Sequence, residues 1–230
     1  QARNTIKPNN RLSLVASSSA ELYKMAGKLW IYCADIGSVK TGRFGWCGDS
    51  EDGEMMFGDS IDELAGTVAK KVTNGAKVAL GFECPLYVPL RDEPMLLTKS
   101  RTGEGNRSWS AGAGCGALAT GLVEVAWLLG KIRANTPETA AVFLNWKAFE
   151  NAEGGLFLWE AFVSGKAKGS GHAHDAEIAV QSFRAALPKP DLANAISEEN
   201  VLSLVGASIV RTGWSADVQY LSEMCLVIKA

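Results

Sequence analysis

Two continuous apolar runs that each meet an acidic residue constrain the fold of this chain more than any other feature. The first run, KLWIYCADI (28–36), leads to Asp35, and AKVALGFECPLYVPL (76–90) meets Glu83 just before a proline. A continuous apolar run of strand length is typical of a central strand covered on both faces. An acid at the end of such a strand is costly to bury unless something pairs with it.

The segment between these two runs predicts a helix that can connect parallel strands. SIDELAGTVAKKVTNG (60–75) places its apolar side chains at helical spacing. Ser60 and Glu63 form a capping box at its start, and Asn74-Gly75 is a stop signal at its end. A right-handed crossover through this helix would make the two apolar strands neighbours, so that their acids converge at one end of the sheet.

The remaining apolar runs predict an α/β fold with a mixed sheet flanked by helices. Further strands are predicted over 42–49, 53–58, 140–146 and 155–163, and further helices over 111–130 and 172–187. An antiparallel meander followed by strands that alternate with helices implies this mixed arrangement. We expect a flexible or extended segment over 1–27, followed by a single domain over 28–230 that ends in a C-terminal helix and strand.

Charge and cysteine content narrow the class of protein. A formal net charge of −2 argues against a protein that grips nucleic acid over its whole surface, but it allows a local basic patch. The five cysteines are odd in number, lack CxxC spacing and lie mostly in apolar runs, so we expect a reduced, cytoplasmic protein without a zinc site. The apolar stretch 111–130 contains Glu124 and many small residues, which favours packing on a sheet over a membrane span.

A third acid stands near the start of the predicted helix 172–187. Asp175 lies beside His172 and His174, which are the two histidines of the sequence. If Asp175 joins the two strand acids, their repulsion favours one or two hard divalent cations with oxygen ligands. Two such metals about 4 Å apart could activate a water molecule and stabilise the leaving oxygen in phosphodiester cleavage. A solvated helix start is the alternative for both histidines.

Three motifs of this sequence are YCADIGSVKTGRFGW (32–46), VALGFECPL (78–86) and HAHDAEIAV (172–180). In this order they resemble the ribonuclease H-like superfamily and in particular its resolvase-type nucleases. In resolvase-like members a His-x-x-Asp-Ala pattern opens the last helix, and residues 172–176 match it. LFLWEAFVSG and the tail SLVGASIVRTG…CLVIKA further resemble an uncharacterised bacterial family of predicted nucleases with this fold.

The resemblance implies a ribonuclease H-like fold over residues 28–187 and a metal-dependent nuclease that hydrolyses DNA or RNA. It implies that Asp35, Glu83 and Asp175 bind Mg²⁺ or Mn²⁺. It also implies that His172 assists a nucleophilic water or a metal. Nucleic acid is therefore the expected partner, no membrane is expected, and a homodimer like that of resolvases is an arrangement to test.

The third ligand has an alternative in the same helix. Many members of the superfamily carry a further acid there, and this chain offers Glu177. Residues 175 and 177 point about 200° apart on a helix, so they cannot both face one metal closely. His174 and Glu177 would share a face, as an alternative to His172 and Asp175. We prefer Asp175.

Each acid also has a structural interpretation. Asp35 could form a turn, and Glu83 could pair with an arginine such as Arg91. Asp175 could simply interact favourably with the helix dipole. Glu160, which follows the apolar run of the strand 155–163, is either a fourth ligand or the partner of a basic group.

A polar loop over 91–112 combines basic and aromatic side chains. Lys99, Arg101, Arg107 and Trp109 could supply phosphate contacts and base stacking to a strand of nucleic acid. A solvated loop is the alternative interpretation.

Two other functions compete with the nuclease hypothesis. DIGSVKTG (35–42) resembles the first phosphate loop of the actin-like sugar kinases, in which backbone amides hold nucleotide phosphates. Such kinases need a second glycine-rich phosphate turn, and we find no convincing one in this sequence. The third hypothesis is a non-catalytic binding module that keeps the fold and recognises a partner.

Overall fold

The computed structural model describes residues 28–230, and the segment 1–27 that we predicted to be flexible or extended lies outside the described residues. The strands are β1 (Leu29–Asp35), β2 (Gly45–Asp49), β3 (Met55–Gly58), β4 (Lys77–Glu83), β5 (Tyr87–Pro89), β6 (Val142–Phe143), β7 (Gly155–Phe162), β8 (Val201–Ser203) and β9 (Leu226–Lys229). The α-helices are α1 (Ile61–Thr73), α2 (Gly112–Ala134), α3 (Trp146–Asn151), α4 (His172–Ala186) and α5 (Leu204–Arg211).

Seven strands form a mixed sheet in the order β3-β2-β1-β4-β7-β6, and β9 also pairs with β7. The meander β1-β2-β3 is antiparallel. β4 lies parallel to β1, and β7 lies parallel to β4, β6 and β9. The predicted α/β class with a mixed sheet is therefore confirmed, and the tail adds its last strand to this sheet.

The predicted crossover is also confirmed. The side chain of Ser60 accepts a hydrogen bond from the Glu63 backbone N–H, which starts α1 at the predicted cap. The helix ends just before Asn74-Gly75, and the chain then returns as β4 beside β1. This register pairs Asp35 with Glu83 at the carboxyl ends of the two strands.

Helices cover both faces of the sheet, as the continuous apolar strands predicted. α1, α2 and α5 pack on one face together with Tyr32 and Leu80. α3 and α4 pack on the other face with Ile31 and Trp159. Because side chains alternate along a strand, successive residues of β1 enter different cores, and both are apolar.

Three elements differ from the predicted ones. The predicted strand 140–146 is limited to β6, because the Asn145 side chain accepts a hydrogen bond from the Ala148 N–H and starts α3 there. The run 76–90 breaks after Glu83, and its last part becomes β5, which pairs with β8 in a separate two-stranded sheet. Only tertiary pairing creates β5 and β8, which are three residues long each.

One helix among residues 28–230, α2, is long and apolar enough to cross a membrane by length and composition. It packs against α1 and α5. One helix of this kind is by itself weak evidence for a membrane span.

Candidate metal centre

The three acids singled out by the sequence meet at one point. Asp35 and Glu83 are the last residues of β1 and β4, and Asp175 lies in the first turn of α4. One carboxylate oxygen from each of them lies within 4.8 Å of the others. Asp35 and Asp175 are buried, with 5% and 6% of their surface exposed. The described residues therefore contain a compact carboxylate group at the carboxyl ends of neighbouring strands.

A glycine in β2 allows α4 to approach this group. Gly45 pairs with Asp35 in the antiparallel register. A Cβ atom at Gly45 would lie 2.5 Å from the backbone nitrogen of Ala173 and 2.8 Å from the carbonyl carbon of His172. The missing side chain therefore lets the first turn of α4 lie against the strand, beside Asp35.

Positive and polar groups contact each of the three acids. Nδ1 of His172 lies 2.5 Å from Oδ2 of Asp35. Nζ of Lys168 lies 3.0 Å from Oε1 of Glu83 and 3.1 Å from Oδ2 of Asp175. The backbone N–H of Gly169 donates to Oδ1 of Asp175 at 2.6 Å. The loop 164–171, which carries Lys168, thus closes over the acids together with the start of α4.

The remaining oxygen of Glu83 has no such contact. Oε2 of Glu83 is buried and has no hydrogen-bond partner among the described residues. A buried carboxylate oxygen without a donor carries its full desolvation cost. An all-carboxylate set of oxygen ligands is what Mg²⁺ and Mn²⁺ prefer. The chemistry of the group and its unpaired oxygen therefore both fit a hard divalent cation.

The pKa values of Glu83, Asp35 and Lys168 are also shifted. Burial, followed by the charge of Asp35, raises the pKa of Glu83 to about 8. Burial also raises the pKa of Asp35, although the contact with His172 opposes this. Burial lowers the pKa of Lys168, but the charges of Glu83 and Asp175 outweigh it, so the net shift is upward. The shifts of Glu83 and Asp35 follow mainly from the burial of closely spaced carboxylates.

A further acid, Glu124, lies near enough to Asp35 for the charge of Asp35 to raise its pKa. Burial raises the pKa of Glu124, in α2, to about 7, although the backbone N–H groups of Val39 and Gly37 favour its charged form. Its Oε2 is buried without a hydrogen-bond partner among the described residues. An acid inside an apolar helix was the available signal, and we used it only to argue against a membrane span.

A cleft of about 680 Å³ opens beside the carboxylates. Asp35, Glu83 and His172 line one part of it, and the small residues at the start of α2 line another. The exposed side chains of Arg43 and Arg107 also line it. The cleft is much larger than an ion, so it has room for part of a substrate.

Arg101 requires a correction to the predicted basic patch. Its side chain is buried, with 2% of the residue exposed, and it donates two hydrogen bonds to Glu160 at 2.6 and 2.8 Å. It also pairs with Glu104 at 3.0 Å. A guanidinium group occupied in this way cannot serve as a surface contact for phosphate. Glu160 is accordingly the partner of a basic group, as its structural interpretation expected.

The other residues of the predicted basic patch do not all line the cleft. Arg107 lines the cleft, whereas Lys99 and Trp109 are not among its lining residues. The indole N–H of Trp109 donates to the backbone carbonyl of Lys99 at 3.1 Å. Of the four predicted nucleic-acid contacts, Arg101 and Arg107 line the carboxylate cleft, and of these two only Arg107 is exposed.

The structure also distinguishes between the alternatives proposed for individual acids. Glu177 accepts a hydrogen bond from Gln181 and is not part of the carboxylate group, and Nδ1 of His174 accepts one from the Ser170 backbone N–H. Arg91 pairs with Glu198 at 2.7 Å and not with Glu83. The geometry therefore favours Asp175 over Glu177 as the third ligand.

No family model, no curated protein and no solved structure matches this chain. The functional argument therefore depends on the geometry of the carboxylate group and its cleft.

Proposed function

We propose that this protein is a metal-dependent nuclease of ribonuclease H-like fold that hydrolyses phosphodiester bonds of DNA or RNA with Mg²⁺ or Mn²⁺. The convergence of Asp35, Glu83 and Asp175 from three separate parts of the chain carries the proposal. The sheet order, with an antiparallel meander continued by the parallel strands β4 and β7, supports the resemblance seen in the sequence. Under this proposal the protein acts in the cytoplasm, and a homodimer stays a prediction.

The acids and His172 have distinct roles in the proposed reaction. Asp35, Glu83 and Asp175 would hold the cation, which supplies positive charge that favours attack by water and stabilises the leaving oxygen. Asp35 accepts a hydrogen bond from Nδ1 of His172, which leaves Nε2 able to take a proton. The water oxygen bonds to phosphorus as the bond to the leaving oxygen breaks. His172 takes the water proton, and solvent supplies a proton to the leaving oxygen.

The cleft supports nucleic acid as the substrate class. Arg43 and Arg107 line it, and arginine is well suited to phosphate contacts. Because the chain has a net charge of −2, the proposed grip is local to this cleft. Binding should therefore weaken as the salt concentration rises.

The phosphotransferase alternative has less support from the loop 35–42. A phosphate loop needs several backbone N–H groups free to face the ligand. The N–H groups of Thr41, Gly42 and Arg43 bond to carbonyl oxygens within the turn. These three amides are therefore not free to hold a nucleotide phosphate.

Cleavage assays on single-stranded, duplex, branched and hybrid nucleic acids with Mg²⁺ or Mn²⁺ test the proposal. We expect the wild type to cleave at least one substrate and Asp35→Asn to cleave none. Asp92→Asn is the matched control, because Asp92 is exposed and does not line the cleft.

Activity retained in Asp35→Asn would reject this residue as a ligand. If the wild type binds nucleic acid and cleaves none of the substrates, the binding-module hypothesis replaces ours. Thermal stabilisation by ATP would instead favour the phosphotransferase.

A further inference from the structure

The two oxygens of Glu83 differ in what they contact. Oε1 lies 3.0 Å from the ammonium of Lys168, which also contacts Oδ2 of Asp175. Oε2 is buried and has no hydrogen-bond partner among residues 28–230. One oxygen of the Glu83 carboxylate therefore contacts a positive charge, and the other oxygen does not.

Asp35, at the end of the neighbouring strand, also has one oxygen without a hydrogen bond. Asp35 is the register partner of Glu83, and its contact with His172 involves Oδ2. No hydrogen bond to Oδ1 of Asp35 is found in the described part of the chain. Each of these neighbouring strand ends thus retains one unpaired carboxylate oxygen, and together they suit one divalent cation.

From this arrangement we propose that Lys168 takes the place of a second metal ion. The group of three acids then binds one divalent cation, and the ammonium between Glu83 and Asp175 supplies the second positive charge. The inference rests on the proposed function and specifies its metal stoichiometry.

Charge and geometry support this assignment. One divalent cation and one ammonium together carry the same amount of charge as the three ionised carboxylates. The contacts of 3.0 and 3.1 Å from Nζ of Lys168 are ordinary ionic hydrogen bonds. The Lys168 side chain is also 46% exposed and lines the cleft, so its third N–H group can reach a substrate phosphate.

In the hydrolysis proposed above, Lys168 would donate a hydrogen bond to a non-bridging oxygen of the phosphate. It keeps its proton throughout, so the proton transfers to His172 and from solvent are unchanged. Its contribution is a fixed positive charge at the position where negative charge develops.

Binding of Mn²⁺ alone, without nucleic acid, tests the inference. The free ion is measured by electron paramagnetic resonance during titration of the full chain. We expect one Mn²⁺ per wild-type chain and two per chain of Lys168→Met, because that variant frees Oε1 of Glu83 and Oδ2 of Asp175. Lys168→Arg keeps the positive charge and should bind one. Lys147→Met, at an exposed lysine on α3, is the matched control and should also bind one.

The outcomes separate this inference from the proposed function. Two ions on the wild type, or one ion on Lys168→Met, would overturn the role of Lys168 and leave the nuclease proposal standing. No ion on either protein would overturn the metal centre itself. Circular dichroism establishes that each variant is folded before titration, and Lys168→Arg gives an independent reading should Lys168→Met not fold.

Discussion

Two groups of buried acids lie along the same cleft, and they differ in how completely their oxygens are paired. In the structural group, Glu160 on β7 uses both oxygens to bind Arg101, and one of them also accepts from the Leu86 N–H. Glu104 binds the backbone N–H and side chain of the same arginine. In the carboxylate group of Asp35, Glu83 and Asp175, one oxygen is buried without a partner.

The difference shows how a structural acid can be distinguished from a binding one. Arg101 presents its donors in a fixed fork that matches its carboxylate partners, so the buried charges are satisfied within the protein. The strand-end acids share one lysine and one histidine, both of which are partly exposed. A buried acid whose oxygens remain unpaired is a better candidate for a ligand site than a buried acid alone.

The largest expected effect is on the structural group. Arg101→Met should lower the free energy of unfolding by about 3–5 kcal/mol, because it leaves Glu160 buried without its partner. Arg107→Met, at an exposed arginine in the same loop, should change it by less than about 0.5 kcal/mol. Urea unfolding measures both. Equal effects of the two variants would contradict the structural role assigned to Arg101 and its acidic partners.

The next effect is on the activity of the carboxylate group. Asp175→Asn should lower the cleavage rate by at least about 100-fold, since the loss of an outer-shell partner alone costs about 10- to 100-fold in metal sites. Glu177→Gln should retain nearly full activity, because Glu177 is bonded to Gln181 and lies outside the group. The reverse order in the same assay would make Glu177 the third ligand.

The metal-free protein should also respond to pH through Glu83. Its pKa is raised to about 8 in the folded protein, so the folded state binds this proton more tightly than the unfolded state. Stability should therefore fall as the pH rises, on the order of 2 kcal/mol between pH 6 and pH 8. Urea unfolding across this range should show the fall in the wild type and a weaker one in Glu83→Gln. A wild type whose stability rises with pH would contradict the origin of the shift.

The smallest expected effect concerns the approach of α4. Gly45→Ala would place a methyl group 2.5 Å from the Ala173 nitrogen and push the first turn of α4 away from Asp35. We expect Mn²⁺ to bind about tenfold more weakly, or about 1.4 kcal/mol. Gly66→Ala is the control, because a Cβ there meets nothing within 4 Å. Unchanged Mn²⁺ affinity in Gly45→Ala would show that α4 tolerates the displacement.

Much of the fold follows from local patterns in the sequence. The apolar runs of β1 and β4, the cap at Ser60 and the stop at Asn74-Gly75 are local signals, and the structure confirms each of them. The crossover through α1 then makes Asp35 and Glu83 neighbours. Asp175 required a resemblance to known nucleases, because a single acid at a helix start carries little information by itself.

Other parts could not be predicted because their causes are distant in the chain. Arg101 was assigned to a surface patch, but its partner Glu160 lies 59 residues away. Lys168 contacts Glu83, 85 residues before it, and no local pattern marks this loop lysine. The short strands β5 and β8 exist only because they pair with each other.

The sequence by itself determined that two buried strands, joined through a helix, would bring their terminal acids together. The continuous apolar runs and the crossover through a helix are enough for that result. Only the tertiary structure decided which acids are paired and which retain an unpaired oxygen. Hydrogen bonding depends on distances of a few ångströms between atoms from remote segments, and spacing along the chain does not specify those distances.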